Sequence, residues 1–117
     1  MNQNLYFKTR KFDSARQLSN YMYLMLKNLS LEPEQPVDSE YMFIISTKFK
    51  GTKIDIFMGK NDEESDIPLW QIWAEERVSL FKKMFSKPNE EIEILLRAKL
   101  ELLVKSIDDV SSVEWGI

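Results

Sequence analysis

Residues 41–58 read Tyr41-Met42-Phe43-Ile44-Ile45-Ser46-Thr47-Lys48-Phe49-Lys50-Gly51-Thr52-Lys53-Ile54-Asp55-Ile56-Phe57-Met58. Two runs rich in β-branched and aromatic residues flank one glycine-bearing turn, the pattern of a β-hairpin. In the first run, residues 40–50, Tyr41, Phe43, Ile45 and Phe49 alternate with Met42, Ile44, Ser46, Lys48 and Lys50. Its first half is apolar on both sides, which predicts a central strand covered on both faces there, while its lysine-bearing half points to water. Gly51 can take positive φ in the turn over residues 50–53. The second run, residues 53–58, sends Ile54, Ile56 and Met58 to a core and Lys53, Asp55 and Phe57 away from it.

Beyond the hairpin, residues 59–66 form a loop carrying Asp62, Glu63, Glu64 and Asp66. Residues 67–75 read as another strand, with Trp70, Ile72 and Ala74 on one side and Leu69, Gln71, Trp73 and Glu75 on the other; Pro68 is tolerated at its start. Residues 77–87 set Val78, Phe81, Met84 and Phe85 at helical spacing before Pro88 breaks the segment. A second helix is expected over residues 89–107, with a core stripe of Ile92, Leu95, Leu96, Leu100, Leu103 and Ile107. Glu93, Arg97, Glu101 and Lys105 fall at four-residue steps of alternating sign on its outer face. Lys99 lies within the apolar stripe, its stem packing and its ammonium reaching the rim. Asp108 and Asp109 turn the chain into a last strand with Val113, Trp115 and Ile117 alternating.

Toward the N-terminus, residues 30–39 read as a polar linker containing Pro33 and Pro36. Before it, Ser14 is an N-cap, Gln17 completes a capping box and Asp13 favours the helix dipole. The helix they begin carries Leu18, Tyr21, Met22, Met25 and Leu29 on one face. Residues 4–9 read as a strand. The order strand, helix, three strands, helix, strand predicts a single α+β domain over residues 1–117. It is a two-layer sandwich with both main helices on one face of a mostly antiparallel, four- to five-stranded sheet. That order resembles a ferredoxin-like split βαβ unit with an extra strand.

The 117 residues are 44 % apolar and 30 % charged, the balance of an ordinary globular domain. Cys and His are both absent, which removes disulfides, thiolate nucleophiles, imidazole catalysis and zinc sites of the usual kind. Three glycines do not make a phosphate-cradling loop, so no cofactor is expected. The start shows no signal-peptide pattern and no run is apolar enough to span a membrane, so a cytoplasmic, non-membrane protein is expected. A net charge of −3 disfavours nucleic acid and anionic lipid and suits a basic protein partner.

Asp62-Glu63-Glu64-Ser65-Asp66 spaces carboxylates as calcium loops do, yet Ile67 and Trp73 stand where an EF-hand needs Gly and Glu. The loop reads as solvated, or as a patch for a basic partner. Glu75-Glu76 and Asp108-Asp109 are adjacent pairs whose side chains diverge, unlike the facing carboxylates of a glycosidase. No metal site and no catalytic residue is therefore expected, and the protein reads as a non-enzyme. Lys48, Lys50 and Lys53 with Phe49 form a basic cluster with an interleaved aromatic, a single-strand-binding combination set against the net negative charge. Trp70 and Trp73, three apart in a strand, face opposite ways, so one of them falls on any face the helices leave bare. Trp115 is expected in the core.

The strand Pro68-Leu69-Trp70-Gln71-Ile72-Trp73 leading into Glu75-Glu76, the acidic balance, the compact α+β order and the missing catalytic residue types together resemble small bacterial immunity proteins. Those proteins neutralise toxins of contact-dependent inhibition and related polymorphic toxin systems. The resemblance implies an inhibitor that masks a basic toxin domain. On this reading Asp62, Glu63, Glu64, Asp66, Glu75 and Glu76 steer the partner and Trp70 or Trp73 anchors it. A homodimer through the open sheet face, with a structural or small-ligand role, is the second reading. Nucleic-acid binding through the lysine hairpin is the third.

Overall fold

The computed structural model describes residues 3–77 and 90–116. Val78, Phe81, Met84, Phe85 and Ile117 lie outside the described residues, so the expected segment over residues 77–87 is represented only by Arg77. The elements run β1 (Asn4–Lys8), α1 (Ala15–Asn28), β2 (Val37–Ser39), β3 (Met42–Phe49), β4 (Thr52–Lys60), β5 (Leu69–Glu76), α2 (Glu90–Lys105) and β6 (Ser111–Gly116). They build one sheet in the order β2-β3-β4-β5-β1-β6, and every ladder is antiparallel. Within it, β4-β5-β1-β6 follows the order of interleaved split βαβ units, α1 lying between β1 and the strands that follow, α2 between β5 and β6. The β2–β3 hairpin extends that sheet outward from β4.

The sheet has six strands, where the sequence pattern predicts four to five. The added strand, Val37–Ser39, lies in the expected linker, and all three of its residues are exposed. With no buried face it has no alternation to display, and the prolines before it read as loop.

One sheet face and both helix stripes share a single core. Leu5, Phe7, Phe43, Ile45, Ile54, Ile56, Met58, Trp70 and Ile72 meet Leu18, Met22 and Leu26 from α1 and Ile92, Leu96, Leu100, Leu103 and Val104 from α2. Leu26 replaces the expected Leu29, which is exposed. The expected full cover over both faces of early β3 is only partial: Met42 and Ile44 are half-buried and point away from the helices.

Helix α1 starts as its sequence dictates. Ser14 Oγ accepts the Gln17 N–H at 3.3 Å, and Gln17 Oε1 returns to the N–H of Asp13 at 2.8 Å, one residue before the cap. Its end is a Schellman motif: Leu31 N–H donates to Leu26 O, and Ser30 N–H to Lys27 O. Ser30 takes the left-handed conformation there, φ 60°, in the place glycine usually fills. Buried Thr47 donates its hydroxyl to the Leu31 carbonyl and ties this corner to β3.

At the hairpin tip Lys50 and Gly51 both have positive φ, 50° and 79°, with Phe49 paired to Thr52. These are the signs of a two-residue type I′ turn, whose twist matches the flanking strands.

Two stability outcomes follow from this packing. Ser30→Gly, relieved of the left-handed penalty, raises stability by up to about 1 kcal/mol, read as a higher denaturant midpoint. Leu100→Ala, at a site 1 % exposed, lowers stability by about 2–5 kcal/mol, whereas Tyr41→Ala, at 86 % exposed, changes it by under about 0.5 kcal/mol.

Candidate functional site

The sheet face turned away from the helices is the candidate site. Strand pairing places Val37, Ile44, Phe57 and Trp73 in one row across β2, β3, β4 and β5. Phe57 and Trp73 stack with centroids 5.1 Å apart and planes 9° from parallel. Both rings and Ile44 are half-buried, and Val37 is 60 % exposed. Aromatic pairs of this kind contribute about 0.5–1.5 kcal/mol beyond area burial, so the stack is a stiff platform.

Trp70 is not part of this face. Its indole is 1 % exposed, donates Nε1–H to Thr9 O at 3.2 Å and meets the Phe12 ring edge-on. Of Trp70 and Trp73, only Trp73 lies on this face. Trp115, expected in the core, is half-buried at its rim beneath the Arg97 guanidinium, 5.6 Å from the ring centroid.

The expected acidic residues do not form one patch. Asp62, Glu63, Glu64 and Asp66 lie in the loop after β4, while Glu75 and Glu76 end β5, about 20 Å away along the strand. The loop group lines an open depression of about 1020 Å³ together with Lys8 and Lys60. An adjoining depression of about 490 Å³ brings Glu63 and Glu64 near Tyr6, Lys8 and Glu114. Glu114 thus joins the acidic group, which no local sequence signal announces because β6 reaches this place only through the sheet. Asn61 organises the loop, donating Nδ2–H to Gln71 Oε1 at 2.9 Å and accepting the Glu63 N–H at 2.8 Å.

At the opposite end of the face, Asp55 and Arg77 form a two-pronged ion pair, with Nε–H···Oδ2 at 3.0 Å. Ser46 Oγ donates to Asp55 at 2.7 Å and accepts from Arg77 at 2.9 Å. Glu75 lies opposite Asp55 on the same face. Glu76 pairs with Ile54 and so lies on the helix side, away from the platform. Partial burial alone would raise the Asp55 pKa, but hydrogen bonds from Arg77 and Ser46 and the charge of Arg77 outweigh it and hold the carboxyl below its ordinary value.

Beyond that clasp, Lys48 and Lys53 sit opposite each other on the two strands. Phe49, however, turns into the core, with Lys99 Nζ 5.7 Å above its ring. The aromatic that would stack a base at this hairpin is therefore withdrawn from solvent. Lys99 itself is half-buried.

Among the described residues no three carboxylates converge as a metal ligand set. Nor, among them, is any helix long and apolar enough to cross a membrane. The chain matches no protein-family model, no curated protein and no solved structure.

The depressed Asp55 pKa fixes a pH dependence. Its contribution to stability is fully present above the ordinary carboxylate value of 3.8 and is lost as pH falls through the lower folded value. Acid titration of unfolding in the wild type and in Asp55→Asn reads this directly. The wild type is the more stable from neutrality to about pH 4, and the gap closes below that.

Proposed function

We propose that this protein is a non-catalytic binding module, an immunity or inhibitor protein that masks a basic partner domain with its open sheet face. The observation that carries the reading is the Phe57–Trp73 stack, set in an apolar row that neither helix covers. Aromatic residues in such a position are the usual energetic centre of a protein interface. The acidic basin around Glu63, Glu64 and Glu114 lies at one end of that row and supplies the long-range attraction. The sequence resemblance to toxin-immunity proteins names the class of partner. Cytoplasmic residence fits a chain without cysteine, which a reducing compartment leaves undisturbed.

Immobilised protein and lysate of the native cell provide the test. A basic protein is retained by the wild type and lost with Trp73→Ala, a change that leaves the core intact and removes at least about 2 kcal/mol of binding. With the captured domain purified, its association rate falls as salt rises, and Glu63→Gln with Glu64→Gln lowers the rate at low salt while leaving dissociation nearly unchanged. Retention that ignores Trp73→Ala, or an association rate indifferent to salt, overturns the reading.

A further inference from the structure

Helix α2 buries Ile92, Leu96, Leu100, Leu103 and Val104, yet its opposite side is not charged throughout, although Lys105 and Glu101 lie along it. Glu93 and Arg97 are half-buried, and Arg97 lies over Trp115. The side turned to solvent carries Ile94, 67 % exposed, and Leu102, 71 % exposed, with exposed Ala98 between them. Four-residue steps set these three in one line along the helix. Exposed Glu91 and Lys105 close the line, seven residues before and seven after Ala98, on the same side of the helix.

This line is its own complement. A second copy turned by 180° about an axis through Ala98 lies antiparallel to the first. Ile94 then meets Leu102 of the second copy, Leu102 meets its Ile94, and Glu91 faces its Lys105 at both ends. A parallel arrangement instead opposes like charges. The small Ala98 stands at the crossing, where it lets the helix axes approach to the usual 8–10 Å. Lys105 already bonds Glu101 of its own helix at 3.4 Å, so an incoming Glu91 meets an ammonium held in place.

We infer that the outward face of α2 is a self-association surface on which two copies of this chain pair antiparallel about Ala98. The inference is independent of the sheet-face reading, because the two surfaces lie on opposite sides of the molecule. One helix of 16 residues is about 24 Å long and buries less than the roughly 1,200 Å² typical of stable complexes, so the dimer is transient and forms at high concentration.

Sedimentation equilibrium of the full chain up to roughly 1 mM tests it. The expected result is a reversible monomer–dimer equilibrium that Leu102→Glu abolishes. Glu91→Lys or Lys105→Glu alone weakens it several-fold, and the two together restore most of it. These positions are exposed, and unchanged circular dichroism verifies that each variant is folded. Because the chain has no cysteine, Ala98→Cys creates a single thiol. Under mild oxidation it forms an intermolecular disulfide faster than Leu24→Cys, on the exposed side of α1. A monomer throughout, a dimer indifferent to Leu102→Glu, or a dimer lost with Trp73→Ala instead overturns the inference.

Discussion

Burying Trp70 obliges the two ends of the chain to meet. Its indole donates to Thr9 at the end of β1 and packs on Phe12 at the approach to α1. Thr9 in turn donates its backbone N–H to the Pro68 carbonyl, one residue before β5, and its hydroxyl to the Asp108 carbonyl, three residues before β6. Strand β1 can occupy its place between β5 and β6 only when this junction closes. The helices are then held over one face, and neither of them covers the other. Non-local pairing of this sort makes folding slower than a helical bundle of equal size, since loop closure precedes the contacts that reward it.

How far this could be read from the chain differs from element to element. The alternation in β3 and β4 and the Ser14 cap give those elements directly, because burial on one face and a capping side chain are local physics. The Trp70–Trp73 spacing shows that the two rings face opposite ways; which of them is bare depends on where the helices pack. Strand β2 left no trace because nothing in it is buried. Helix α2 shows its core stripe in the sequence, Ile92, Leu96, Leu100, Leu103 and Ile107 all being buried with Leu95 against them. Buried Val104 and exposed Ile94 and Leu102 were not legible because the helix is apolar around most of its circumference, and a period of 3.6 selects a face only when another face is polar.

The candidate site is still less local. Val37, Ile44, Phe57 and Trp73 come from four strands, and only the pairing register puts them in line. The acidic residues were legible as acids and not as a group, since β5 holds Glu75 and Glu76 a strand's length from the loop. Glu114 joins that loop through the sheet alone. Chemistry is written in residue types; juxtaposition is written in topology, and this chain has its informative residues spread across both ends.

A protein that shows water a row of apolar side chains needs borders that do not recruit more strands. Here one border is β2, three residues long, entered through Pro36 and bearing Asp38. The other is β6, whose pairing with β1 slips out of register between Tyr6 and Lys8. A short strand behind a proline and an irregular one are both poor templates for fibril growth. The molecule can therefore carry Phe57 and Trp73 on this face while its described margins offer poor templates for further strands.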